Sequence, residues 1–325
     1  MSNKKSINST FLYPDSPKSP HLVHLNWAKH VCQNIIQTPM PSNLRKVWKI
    51  FFKEMGKIPH SDVLLLESLY CLPIAARYKK IINPNCKIVS IIADTSFWKE
   101  KMNILRRIFY KIFLRYINGF ITVSYRIKNE IKKYIKRPTE VVRPFMINEF
   151  KTGAYKFNKK ILFIGNEAKE KGFLNLIESM KLLENYELFL VGDCYKGIGK
   201  TANNVNVEGR VDNLAKYFNS CSIYVHPADY DPCPVSIFEA MHAGLIPIIS
   251  KYVGQSEIFP KKLKNLIVQN NQPMTIKQKI KEVEAFSDDY KFHLIEKAII
   301  ISLNYKKDKS IKDFKEKFYK ILDTT

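Results

Sequence analysis

The strongest constraint on this chain is a repeated rhythm of short apolar runs, each followed by a longer stretch with helical spacing. Asp62 to Leu66 and Lys87 to Ile92 lack polar alternation, so they read as strands covered on both faces. Phe11 to Tyr13, Gly119 to Val123, Lys160 to Ile164 and Glu187 to Val191 are further strand signals. Between them, Leu22 to Ile36, Ser68 to Ile81, Met102 to Tyr116, Tyr125 to Ile135 and Phe173 to Leu183 carry apolar residues at helical intervals. Strands that alternate with helices build parallel sheets covered by helices on both sides. The expected class is therefore α/β, with doubly wound, Rossmann-like parallel sheets.

The rhythm is interrupted once. Lys151 to Lys160 is polar and contains a glycine, which fits a linker, and a chain of 325 residues suits two domains of ordinary size. The expected division is an N-terminal domain over 1–155, a second domain over 156–305, and a C-terminal helix over 306–325 that crosses back to the first domain. Ligands of such sheets bind beyond the carboxyl ends of the strands, and with two domains the expected place is the cleft they face.

The charge is large and uneven. Residues 1–150 hold 26 Lys+Arg against 9 Asp+Glu, while residues 151–325 hold 27 against 21. A basic half calls for a partner with a negative surface, either anionic lipid or nucleic acid. A general abundance of lysine would raise the charge but would spread it evenly. The six cysteines form no CxxC pair and sit in apolar surroundings, so they read as reduced core residues, and no metal site is expected. The polar N-terminus has no apolar signal segment, and no apolar run approaches the roughly 18 residues of a bilayer span. The expected location is cytoplasmic, peripheral on the inner face of the cell membrane.

The chemistry concentrates in one stretch. Asp231-Pro-Cys-Pro-Val-Ser-Ile-Phe-Glu239 is followed by Ala-Met-His-Ala-Gly244, an apolar strand, and Gly254-Gln-Ser-Glu257. A proline loop leads into an amphipathic helix, so two carboxylates flank a helix N-terminus. Free N–H groups there hold phosphate, and carboxylates beside them suit sugar hydroxyls. The plainer reading is a capping box with Ser236 as N-cap and Glu239 at the third position, and Asp231 as a turn residue. A second loop, Gly165-Asn-Glu-Ala-Lys-Glu-Lys171-Gly172, opens a helix and offers Lys171 to a phosphate, although a solvated lysine on an ordinary turn explains it as well. His226 and His242 read as structural residues.

Ile161 to Lys171, Gly209 to Val211 and His226 to Glu257 together resemble the donor-binding domain of family-4 glycosyltransferases with the two-domain GT-B fold. Gly119 to Ser124 resembles that family's last N-domain strand. The resemblance implies a nucleotide-diphosphate sugar of UDP or GDP type as donor, retention at the transferred carbon, no cofactor and no bound metal. It implies that Glu239 binds ribose, that Asp231 lies beside the donor sugar, and that Lys171 neutralises the leaving diphosphate. It places Gly165 and Asn166 at the phosphate loop, the main chain of Arg210 and Val211 at the base, and the N–H groups of Val235, Ser236 and Ile237 at sugar and diphosphate. The chain departs from the family's pattern at three places: Asn166 replaces an arginine, Ala93 a histidine, and Pro14 to Pro20 a Gly-Gly loop. Asp94 and Glu67, at strand ends, are the candidates for the acceptor side; a helix cap explains Glu67 equally.

The stretch Lys99 to Tyr116 interleaves Lys99, Lys101, Arg106, Arg107, Lys111 and Arg115 with isoleucine, leucine and phenylalanine. Either it lies on an anionic membrane, or it is a core helix with a basic outer face. The expected function is hexosyl transfer to a hydroxyl of a lipid-linked or cell-surface glycan precursor. A DNA-modifying glycosyltransferase and a non-catalytic nucleotide-sugar-binding protein are the alternatives.

Overall fold

The computed structural model describes residues 7–17, 19–39, 55–150, 157–166, 168–192 and 202–325. Residues 151–156 of the expected linker and 193–201 of the loop after Val191 lie outside the described residues. The chain forms two compact units, one of Met1–Arg143 with Asp308–Thr325 and one of Pro144–Lys307.

The first unit runs β1 (Ser9–Pro14), α1 (Leu22–Ala28), β2 (Asn34–Thr38), β3 (Val63–Leu66), α2 (Leu72–Ile81), β4 (Lys87–Ile92), α3 (Ile104–Phe113), β5 (Gly119–Thr122), α4 (Tyr125–Ile131) and β6 (Thr139–Val141). Its strands form one parallel sheet in the order β2-β1-β3-β4-β5-β6. The central strands β3 and β4 are buried on both faces, as their unbroken apolar runs require. Side chains start the helices: the Ser124 hydroxyl accepts from Ile127 N at the head of α4, and the Asn103 amide oxygen accepts from Arg106 N at the head of α3.

One expected helix is shorter than its spacing suggested. Leu22 to Ile36 splits into α1 and the edge strand β2, which pairs Ile35 with Phe11. Adjacent isoleucines at 35 and 36 satisfy either period, and an edge strand with one face in solvent lacks the apolar run of a central strand. The two-residue strand Ile267–Val268 is too short to show any period.

The second unit runs β7 (Lys160–Ile164), α5 (Phe173–Met180), β8 (Glu187–Val191), β9 (Val205–Gly209), α6 (Ala215–Ser220), β10 (Ile223–His226), α7 (Val235–His242), β11 (Ile246–Ser250), β12 (Ile267–Val268), α8 (Pro273–Ala285) and α9 (Asp288–Ser302). Its parallel sheet has the order β12-β11-β10-β7-β8-β9. From β7 the chain steps outward to β9, then returns to the other side of β7 and steps outward again. β7 and β10 therefore flank the point where the strand order reverses, the place beyond whose carboxyl ends such sheets bind ligands.

A last helix, α10 (Lys307–Asp323), joins the first unit from Asp308 onward. Trp27 of α1 stacks on Phe314 with ring centres 5.1 Å apart and donates from Nε1 to Ser310 Oγ at 3.0 Å. Near its end, Lys87 Nζ donates to Leu322 O at 2.6 Å. The helix thus contributes core residues to the N-terminal sheet. Among the described residues no helix is long and apolar enough to cross a membrane.

Candidate functional site

The carboxyl ends of β7 and β10 collect the motif residues of the second unit. The loop after β7 ends in a short helical turn, Lys169–Lys171, and Gly172 then adopts φ 75°. A Cβ on Gly172 would collide with the Pro227 carbonyl, so only glycine lets this loop lie against the one after β10. Asp229 N also donates to Glu170 O at 2.8 Å, fastening the two loops together.

This contact brings Lys171 to Asp231. Lys171 Nζ donates to Asp231 Oδ2 at 2.5 Å, and His226 Nε2 lies 2.8 Å from the same oxygen. Asp231 and His226 are buried, and Lys171 is largely so. Burial works against the Asp231 charge, but Lys171 and His226 outweigh it and hold the carboxyl below the ordinary carboxylate range. Burial also lowers the His226 pKa more than Asp231 raises it. A neutral His226 donates from Nε2 to the carboxylate, which leaves Nδ1 as an acceptor, and that buried atom has no partner. His226 lies parallel to the ring of Phe163 and of Tyr224, which fixes its plane.

α7 begins at Val235, with Pro234 as its N-cap and no side-chain cap. The capping-box reading is therefore corrected. Ser236 lies inside the first turn, and its hydroxyl meets the Tyr224 hydroxyl at 2.7 Å instead of the helix end. Val235 and Ser236 open the first turn, where an α-helix leaves its N–H groups without an intrahelical acceptor. Ile237 N instead donates to Pro234 O at 3.3 Å, so it is not an outward-facing donor. Gln255 closes the other side: its Nε2 donates to Pro234 O at 2.7 Å, and its buried Oε1 has no partner.

Glu239 lies one turn further along α7 and is buried. Its Oε1 accepts from Asn148 N at 2.9 Å and Asn148 Nδ2 at 3.3 Å. Burial pushes the Glu239 carboxyl up, and the hydrogen bonds from Asn148 check the rise. At the far end of α7 the chain turns through Gly244 at φ 87°. Gly244 N donates to Met241 O and Leu245 N to Ala240 O, a paired closure that satisfies the last carbonyls and aims the chain into β11.

The remaining candidates are placed as follows. Gly165 N donates to Val191 O at 3.0 Å, and the Asn166 side chain accepts from Ala168 N at 3.2 Å, so Asn166 shapes its own turn. Arg210 is exposed and Val211 half-buried just past β9. Glu257 is exposed on the turn Gly254–Glu257, and the His242 ring lies 3.2 Å from the Ser302 hydroxyl on α9. Among the described residues no three His, Cys, Asp or Glu side chains converge as a metal site.

Glu67 and Asp94 belong to the first unit. Asp94 accepts from Ser96 N at 2.8 Å, an Asx turn after β4. Glu67 lies where that unit's strand order reverses, beyond β1 and β3. Its Oε1 accepts from His21 N at 2.5 Å and lies 3.3 Å from His24 Nδ1, while its buried Oε2 has no partner. Burial, aided by His24 and opposed by Glu67, brings His21 down to about 4.

Sequence reasoning passed over His226 as a partner of Asp231, and it passed over Asn148, Tyr224 and Gln255 altogether. A histidine five positions before an acidic residue across an Ala-Asp-Tyr turn is the one local signal among them. Asn148 is 91 residues from Glu239 in sequence, and nothing local announces it.

Residues 145–299, nearly the whole second unit, match the family described as Glycosyl transferases group 1. An uncharacterized glycosyltransferase of Methanocaldococcus jannaschii is 28% identical over 187 residues, 48% of this chain and 48% of that protein. The capsular polysaccharide biosynthesis glycosyltransferase CapH of Staphylococcus aureus is 24% identical over 236 residues, 66% of this chain and 64% of that one. The chain thus spans about half to under two thirds of the length of these curated relatives. Among solved structures, HepE of Anabaena in complex with UDP has a TM-score of 0.80 at 15% identity, covering 97% of this chain and 100% of that one. The chain is similar to glycosyltransferases of the two-domain, Rossmann-like kind, as its sequence suggested, and it shares their fold.

Proposed function

We propose that this chain is a glycosyltransferase whose second unit binds a nucleotide-diphosphate sugar beyond the carboxyl ends of β7 and β10. The observation that carries this reading is the set of groups gathered there: Lys171, the first-turn N–H groups of α7, and the ionised Asp231 held by His226. HepE has been solved with UDP and with UDP-glucose, which favours a uridine nucleotide as donor. The diphosphate takes the α7 N-terminus and Lys171. Glu239 and the main chain at Arg210 and Val211 serve the nucleoside.

Transfer then proceeds with retention and without a metal. The acceptor oxygen bonds to the anomeric carbon on the face the diphosphate leaves, the bond from that carbon to the phosphate oxygen breaks, and the acceptor proton passes to the departing phosphate. An Asp231 carboxylate held below its ordinary range is a weak base, which suits a scheme where the leaving group takes the proton. Lys171 and the helix end oppose the charge that develops on the diphosphate. The acceptor is a hydroxyl of a lipid-linked or cell-surface glycan precursor; CapH, named for capsular polysaccharide biosynthesis, supports that class. The basic first half supports a location at the inner face of the cell membrane.

The test is titration of the protein with UDP, GDP and their hexose conjugates, followed calorimetrically. One nucleotide class binds, and Lys171→Ala weakens it at least ten-fold by removing a phosphate cation. Binding unchanged in both Lys171→Ala and Glu239→Ala would sink the assignment. Tight binding with no sugar release or transfer to any acceptor would leave a nucleotide-sugar-binding protein.

A further inference from the structure

α3 is an amphipathic helix mounted the wrong way round for a globular protein. Its inner side is held by polar and aromatic groups: the Tyr110 hydroxyl donates to Ser96 O, Arg106 Nη1 reaches Thr95 O at 3.4 Å, and Tyr110 packs on Phe97. Tyr110 is its one buried residue. The aliphatic stripe points outward, with Ile104 70%, Leu105 69%, Ile108 49% and Ile112 44% exposed. A helix of a soluble protein turns such a stripe inward. Of the two readings of this segment, a core helix with a basic outer face is excluded, because the core does not receive the stripe.

The apolar surface continues beside the helix. A groove of about 440 Å³ runs between α3 and the turn after β3, lined by Leu69, Tyr70, Leu105, Phe109 and Phe113. Tyr70 on its rim is 60% exposed. A contiguous apolar patch of this kind marks an interaction site.

Charge identifies the partner. From Lys101 to Asn129 the sequence has seven Lys and Arg and no Asp or Glu. On α3 itself, Arg107 and Lys111 are exposed along one edge of the aliphatic stripe. A surface that is aliphatic in the middle and cationic at the edge matches acyl chains beneath anionic headgroups, with the long basic side chains reaching to the phosphates. A nucleic acid offers phosphate but no apolar surface for four aliphatic side chains.

We propose that α3 lies in the headgroup region of an anionic lipid bilayer, with Ile104, Leu105, Ile108 and Ile112 inserted and Arg107, Lys111 and Arg115 at the lipid phosphates. This rests on the placement of the protein at a membrane, and it is independent of the donor pocket. Co-sedimentation of the full chain with phosphatidylcholine vesicles, and with vesicles of phosphatidylcholine mixed with phosphatidylglycerol, tests it. The wild type sediments with the anionic vesicles and is released as salt rises. Leu105→Asp with Ile108→Asp weakens sedimentation about ten-fold or more, while the thermal midpoint stays within a degree or so of wild type because both side chains stand in solvent. Ile300→Asp, an exposed isoleucine on α9, leaves sedimentation unchanged. A wild type that ignores every vesicle, or binds duplex DNA in preference, removes both this assignment and the membrane placement. A wild type that binds anionic vesicles, with the α3 variant binding equally, removes only the assignment to α3.

Discussion

Asp231 Oδ2 is shared by a lysine and a histidine, and each partner changes what the other can do. Taking Lys171 away leaves a buried carboxylate with a neutral imidazole alone, so Lys171→Met costs about 3 kcal/mol of unfolding free energy at neutral pH. Adding Asp231→Asn removes the orphaned charge, so the double variant is less destabilised than the single one; chemical denaturation of the four proteins of the cycle measures the coupling. The pH dependence has a definite sign. The folded Asp231 pKa is depressed, so its ion pair stabilises the fold above the ordinary unfolded carboxylate pKa and loses that contribution as pH falls through the folded value. Wild type therefore loses stability in acid more steeply than Asp231→Asn. Glu239 has the opposite sign, since its pKa is raised in the fold. Its contribution is present at low pH and is lost as pH rises through the folded value. Glu239→Gln, which keeps an oxygen to accept from Asn148, is therefore more stable than wild type at pH 8, by denaturant titration, while binding nucleotide more weakly.

At the scale of elements, one contact sets where the site groups lie and another completes a core. The loop after β7 reaches Asp231 only because Gly172 has no side chain against the Pro227 carbonyl. Gly172→Ala must both strain a left-handed residue and part the two loops, which costs about 3 kcal/mol and weakens nucleotide binding along with stability. The second contact is α10 on the first unit, where Phe314 is fully buried against Trp27. Phe314→Ala removes an aromatic core contact and lowers the unfolding free energy by about 3–5 kcal/mol by denaturant titration. Little of that second contact was legible beforehand. The helical period of 310–322 is plain in the sequence, but its partner Trp27 lies 283 residues from Ser310, and no periodicity carries such a distance.

For the molecule as a whole, a ligand that binds only the folded state raises its stability. UDP at a hundred times its dissociation constant adds about 2.7 kcal/mol, seen as a rise in thermal midpoint, and EDTA leaves both the rise and the transfer rate unchanged. A rise that needs a divalent ion would contradict the metal-free scheme. The proposed membrane binding has a separate readout, its salt dependence, set by the basic first half. A Lys171→Ala variant loses the nucleotide response and keeps the vesicle response, because Lys171 lies outside the basic first half.

What the sequence determined by itself is what short-range periodicity can carry. Unbroken apolar runs separated by helical spacing specify buried parallel strands, and proline and glycine at the ends of α7 specify where that helix starts and stops. The tertiary structure alone decided the pairings and the directions. Asp231 and Lys171 come from two loops joined at the reversal of the strand order and meet His226 at the end of β10, Ser236 turns to Tyr224 rather than capping its helix, and Glu239 finds Asn148. The outward stripe of α3 belongs here too. A period of three and four fixes that a helix has an apolar face, but which way that face points depends on what the remaining chain leaves for it to touch.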